Sequence, residues 1–164
     1  MEGKHLDHSH HNHHSQARSN INSLAINATL HCLTGCAIGE ITGLVIATIL
    51  GLTLIPSIAL ATGLAFVFGY SLSIIPLLKN GLPFKKALPI ILAADTLSIL
   101  TMEVVDNIVM IIIPNAMNAG LVNPVFWISM SIALAAAFIA AFPVNKYLLG
   151  RGKGHALVHE YHHK

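Results

Sequence analysis

Residues 31 to 40 read HCLTGCAIGE and set an imidazole, two thiols and a carboxyl inside an otherwise apolar run. Further along, ADTLSILTMEVVDN sets Asp95, Met102, Glu103 and Asp106 in a second such run. Thiolate, imidazole and thioether groups suit copper(I) or zinc, whereas carboxylates suit harder ions such as iron(II) or manganese(II). The mixture points to a transition-metal cation rather than sodium or magnesium, with copper or zinc favoured and the identity left open. The candidate ligands are His31, Cys32, Cys36, Glu40, Asp95, Met102, Glu103 and Asp106, with Asn107 placed to orient a carboxylate. Paired Glu-x-x-His motifs are absent, which disfavours a ferritin-like di-iron centre. Cys32 and Cys36 lack the C-x-x-C spacing of a thioredoxin-like redox pair, and their plainest alternative is that of buried, inert thiols.

Spacing gathers these groups. At about 100° per helical residue, Asp95, Ser98, Ile99, Met102, Glu103, Asp106 and Met110 fall in one stripe about 140° wide. Cys32, Cys36 and Glu40 run at every fourth residue on the earlier segment, and Gly35, Gly39 and Gly43 interleave with them as a ladder that admits a close neighbour. His31 falls roughly 180° from Glu40 on a straight helix, so those two cannot share an ion without a bend. If the two segments run parallel and face each other, Cys32 is level with Asp95. Glu40 is then level with Met102 and Glu103, about 12 Å farther across at 1.5 Å per residue. The groups form two tiers, one rich in thiol and one rich in carboxyl. The competing explanation is that small polar groups glue helices together with the acids held neutral.

The elements that carry these groups are membrane spans. Of 164 residues, 54% are hydrophobic and 10% charged, with a mean hydropathy of +0.69, whereas a soluble domain carries roughly a quarter charged residues. The apolar residues form four blocks, Leu24 to Leu50, Ser57 to Leu78, Ala87 to Ile113 and Leu121 to Leu148. Each reaches the roughly 20 helical residues that cross a bilayer. Short connections with Pro or Gly separate them. The expected fold is all-α, an integral membrane four-helix bundle. A His-rich N-terminal tail of residues 1–22 is expected to be disordered. The spanning domain is 23–149, with helices at about 24–50, 57–78, 87–113 and 121–148, and a His-rich tail follows at 150–164. The first block is too long, and too far from the N-terminus, to be a cleavable signal peptide. Two cysteines, both within the spans, argue against a disulfide-stapled secreted domain. No nucleic-acid motif appears.

Lys and Arg fall only in the N-tail, in the second connection and near the C-terminus. The positive-inside rule places those three regions in the cytoplasm, giving an N-in, C-in protein of the inner membrane. No Lys or Arg lies at the depth of the four acids, and an intramembrane carboxylate costs about 2.5–3.5 kcal/mol even on the lenient insertion scale, so these acids are functional candidates by default.

Both tails add imidazoles. The N-tail carries His5, His8, His10, His11, His13 and His14, and the C-tail His155, His159, His162 and His163. Such tracts bind borderline divalent metals, and His155, His159 and His163 share one face if the segment is helical. The tails would collect metal on the cytoplasmic side. An expression tag is the alternative for the first tract and a headgroup-level position for the second.

HCLTGCAIGEITG, ADTLSILTMEVVDN, Phe126–Trp127 and PVNKYLLGRGKGHALVHEYHH together resemble the small bacterial membrane proteins of domain-of-unknown-function family 4396, over roughly residues 26 to 163. The resemblance implies a four-span membrane domain. Some members carry a copper-oxidase-like label, yet nothing in this chain resembles the cupredoxin strands of a multicopper oxidase.

The function expected is an integral membrane protein that binds a transition-metal cation in its bundle interior and conducts it or hands it on. The alternatives are a membrane-bound metallochaperone or assembly partner without transport and, with no cofactor motif behind it, an intramembrane redox protein; an enzyme is the lesser expectation. Besides the bilayer, the expected partner is a second copy, docked through Gly35, Gly39 and Gly43 or through Ala133, Ala137 and Ala141.

Overall fold

A computed structural model describes residues 10–79 and 81–150. It has four helices, α1 (His10–Ile49), α2 (Leu54–Lys79), α3 (Phe84–Ile112) and α4 (Pro124–Gly150), and no strand among the described residues. All four are long and apolar enough to cross a membrane, α1 through its Ile21–Ile49 portion. The chain is thus a multi-pass, all-α protein of membrane type.

The helix ends follow local chemistry. α1 is closed off by Gly51, whose φ of 64° lets the Gly51 N–H reach the Thr48 carbonyl at 3.2 Å and the Leu52 N–H reach the Ala47 carbonyl at 2.9 Å. Gly81, with φ 83°, closes α2 in the same way. Both are Schellman ends, where the left-handed residue is best a glycine. α4 starts at Pro124, where a missing N–H costs nothing, and the Asn123 side chain accepts from the Val125 N–H at 3.0 Å.

One boundary differs from expectation. α1 begins at His10, well before Leu24, so the backbone of the N-terminal segment is helical from that point. No Gly or Pro lies between His10 and Thr34 to stop a helix propagating outward from the span. The side chains of His10, His11, His13 and His14 are not described. His8, His155, His159, His162 and His163 lie outside the described residues, as does almost all of the C-terminal tail.

α1 packs most extensively along α2 and touches α3 least. The glycine ladder makes the first contact possible. A Cβ added at Gly35 would sit 2.6 Å from the Gly69 Cα, and one at Gly39 or Gly43 would overlap the backbone of Ala65 or Ala61. On α4, Ala133, Ala137 and Ala141 are fully buried. Both small-residue faces are therefore covered by the chain's own helices, and neither is open to a second copy. Small residues permit close approach, and here the approaching helix is an intramolecular one.

The α3 stripe is observed as read. Asp95, Ser98, Ile99, Met102, Glu103, Asp106 and Met110 are all buried, while Leu92, Leu97, Leu100, Val104, Ile108, Ile111 and Ile112 face outward. Exposed Leu, Ile and Val are what a helix offers to lipid. Tyr70 of α2 and Thr96 of α3 share a hydrogen bond of 2.9 Å between their hydroxyls.

Candidate functional site: a carboxyl cluster beneath a cavity

The two tiers form around α1 and α3. In the first, Cys32 lies beside Ser98 and within electrostatic range of Asp95. Cys32, Asp95 and Ser98 are all buried. In the second, Glu40 comes within reach of both Glu103 and Asp106. Cys36 and Thr62 approach Glu103 as well. Glu40, Glu103 and Asp106 are 6%, 3% and 7% exposed, so three carboxyl groups share one buried volume.

Hydrogen bonding in that volume is incomplete. Cys36, Thr62 and Glu40 come within reach of Glu103, yet none meets hydrogen-bonding geometry, and both Glu103 oxygens lack a partner. Asp106 Oδ1 also lacks one. Among the described residues, Lys79, Lys85, Lys86 and Lys146 are all exposed, at the opposite end of the bundle. A buried charge without a partner costs several kcal/mol in effective terms, so three carboxylates cannot all stay charged here without a cation.

A cavity of about 330 Å³ reaches this cluster from the end that carries the α1–α2 and α3–α4 connections. Glu40 and Asp106 line it, and its rim includes the exposed residues Leu52, Asn118 and Gly120. Glu103 does not line the cavity and lies behind the two. Adjoining the cluster, Cys32, Cys36, Ala65, Ile99, Met102, Ala137 and Ala141 pack as a buried apolar core. Deeper still, the Asn145 amide donates to the Thr29 hydroxyl at 2.9 Å, and Thr29 donates on to the Ala25 carbonyl at 2.7 Å.

The structure thus gathers Cys36, Glu40, Glu103 and Asp106 in one tier and Cys32 and Asp95 in the other, with Met102 in the core between. It leaves two candidates aside. His31 is half-buried and falls on the opposite side of α1 from Glu40. The Asn107 amide donates to the Glu103 backbone carbonyl at 2.8 Å rather than to a carboxylate, although the residue does line the cavity. Among the described residues, no three of His, Cys, Asp and Glu are gathered tightly enough to form a ready-made metal cage.

Three features escaped the sequence. Thr62 comes from α2, a helix whose membrane portion has no charged residue to draw attention to it. Asn145 is the lone amide in the apolar run of α4, and that isolation was the available signal. The methionines Met110, Met117 and Met130 line the cavity; only Met110 was readable, as a member of the α3 stripe.

A family model described as Domain of unknown function (DUF4396) matches residues 22–154, and the chain belongs to that family. No curated protein and no solved structure matches the chain.

Proposed function

We propose that this DUF4396 member is an inner-membrane protein that takes up a transition-metal cation through the cavity, binds it at Glu40, Glu103 and Asp106, and hands it on past Cys36, Cys32 and Asp95. The observation that carries this reading is the position of Asp106 and Glu103. They are buried carboxyls with unpartnered oxygens, one on the cavity floor and one directly behind it, and the four lysines whose burial is described, Lys79, Lys85, Lys86 and Lys146, are all exposed. Intramembrane acids of this kind line ion paths, and a cation supplies what the cluster lacks.

The positive-inside rule assigns the cavity to the external side, since the Lys residues lie at the opposite end. The cation then enters from outside and meets the thiol tier on its way in. The His-rich tails, on the cytoplasmic side in this scheme, receive it. The acid groups are spread rather than caged, so a cation would have to draw them together as it binds.

The test is Glu103→Gln in the full chain, compared with the parent for metal content and thermal stability. An amide keeps the shape but is a poor substitute for a carboxylate ligand, so metal is lost while the fold is kept. Unchanged metal stoichiometry at unchanged stability refutes the site. Uptake into proteoliposomes by a chain lacking residues 151–164 separates transport from a chaperone role, in which removing the tail abolishes transfer.

A further inference from the structure

Apart from Met1 the chain has four methionines, Met102, Met110, Met117 and Met130, and two cysteines, Cys32 and Cys36. All six residues lie in two places, the cavity wall and the core that adjoins the carboxyl cluster. Met110, Met117 and Met130 line the cavity together with Glu40 and Asp106. Met102, Cys36 and Cys32 pack together in the buried core, where Cys36 adjoins Glu103 of the carboxyl cluster. Among the described residues, the large apolar side chains on the outward faces of the bundle are Ile, Leu, Val, Phe, Trp and Tyr, with no methionine.

Packing alone does not call for this distribution. Leu and Met are nearly interchangeable in volume, and lipid-facing positions would accept either. Met110 and Met130 are buried against Phe126, with Met117 partly buried beside them. Three flexible, polarisable thioethers thus converge from α3, α4 and the α3–α4 connection onto one cavity. At its floor Asp106, 7% exposed, presents an Oδ1 with no hydrogen-bond partner.

We infer that the cavity selects a soft monovalent d¹⁰ cation, copper(I) or its analogue silver(I), which the thioethers of Met110, Met117 and Met130 engage before the carboxyl cluster receives it. Thioether and thiol ligands select soft ions, whereas carboxyl and carbonyl groups suit magnesium, calcium or manganese. A soft monovalent ion is satisfied by few ligands, which accords with the absence of any three-donor His, Cys, Asp and Glu cage among the described residues. Its single charge also asks less of the acids than a divalent ion does. The inference rests on the cation-binding function proposed above and names the class of ion that site takes.

The experiment uses the full chain with ¹³C-labelled methionine methyl groups, in detergent, titrated separately with silver(I), zinc and manganese(II). Single Met→Leu variants assign the signals. The expected result is a saturable shift of the Met110, Met117 and Met130 methyl signals with silver(I) and none with zinc; manganese(II), which is paramagnetic and broadens nearby signals without ligation, is followed by metal content instead. Histidine binding in the tails leaves those signals unmoved. The double variant Met110→Leu/Met130→Leu conserves volume, and it should weaken silver binding by about tenfold or more, the lower end of what even outer-layer partners of a metal site cost. Methyl signals that ignore silver, or undiminished silver affinity in the double variant, overturn the inference. If zinc or manganese is then still bound in a manner sensitive to Glu103→Gln, the cation site stands and only its softness falls. If the parent and Glu103→Gln bind no cation of any kind, both fall.

Discussion

Gly39 of α1 lies so close to Ala65 of α2 that a single added methyl group would overlap the Ala65 backbone. One residue further along α1, Glu40 turns toward Glu103 and Asp106. The close approach of α1 to α2 therefore sets where the Glu40 carboxyl can go. Thr62 of α2, three residues before Ala65, reaches the same cluster. Packing and chemistry are linked at a glycine.

Gly39→Ala should accordingly lower stability by about 2 kcal/mol or more, from the middle of the usual range for overpacking upward, because backbone cannot yield as a side chain can. Gly63→Ala, at a helical position with nothing near its virtual Cβ, should be neutral or should gain up to about 1 kcal/mol from helix propensity. Thermal unfolding of the two variants in the same detergent compares them directly. Equal stability in both would mean that α1 and α2 do not meet along the ladder.

The Asn145–Thr29 bond joins α4 to α1 below the thiol tier. Interhelical hydrogen bonds in membranes average about 0.6 kcal/mol and reach about 1.7. A double-mutant cycle on Thr29→Val and Asn145→Ala should return a coupling within that range. Thr29→Val should be the costlier single change relative to the atoms removed, since it strands a buried amide donor. Zero coupling would place the two side chains apart.

Side-specific labelling tests the orientation. Asn118→Cys, at the cavity rim, should react with a membrane-impermeant thiol reagent applied outside intact cells. Lys85→Cys, at the start of α3, should react only once the membrane is opened. The native thiols of Cys32 and Cys36, each 1% exposed, should stay silent in both cases. The reverse pattern would invert the protein and turn the cavity toward the cytoplasm.

The spans and the buried stripe of α3 were legible because apolar period and length leave few alternatives. All seven residues assigned to that stripe face the interior, and Cys32 meets Asp95 while Glu40 meets Glu103 as their depths required. Partner choice was less legible. A small-residue ladder says that a helix will approach but not which one, so Gly35, Gly39 and Gly43 read equally well as a dimer face. The cavity was not legible. It depends on the path of the α3–α4 connection, where Ile113 is extended before Pro114 and Asn115 takes a φ of 63°. Met117 comes to the cavity wall through that turn. Such a path follows from loop packing rather than from any helical period.

The carboxyl cluster makes a final prediction in which stability and binding move in opposite directions. Where more than one of the three acids is charged, the cluster is a local source of repulsion, and a bound cation removes it. Asp106→Asn takes away one of the acids and places an amide donor within reach of Glu40. In cation-free buffer this variant should therefore unfold at the same temperature as the parent or a higher one. Added cation should reverse the order. A ligand at a hundred times its Kd stabilises the folded state by about 2.7 kcal/mol, and the parent should show a gain of that size. Asp106→Asn, with a weakened site, should gain much less. Thermal melts of both proteins, with and without silver(I), supply the four values needed. A parent that is more stable than the variant in the empty state, and that gains nothing from the cation, would make Asp106 a structural acid rather than a ligand.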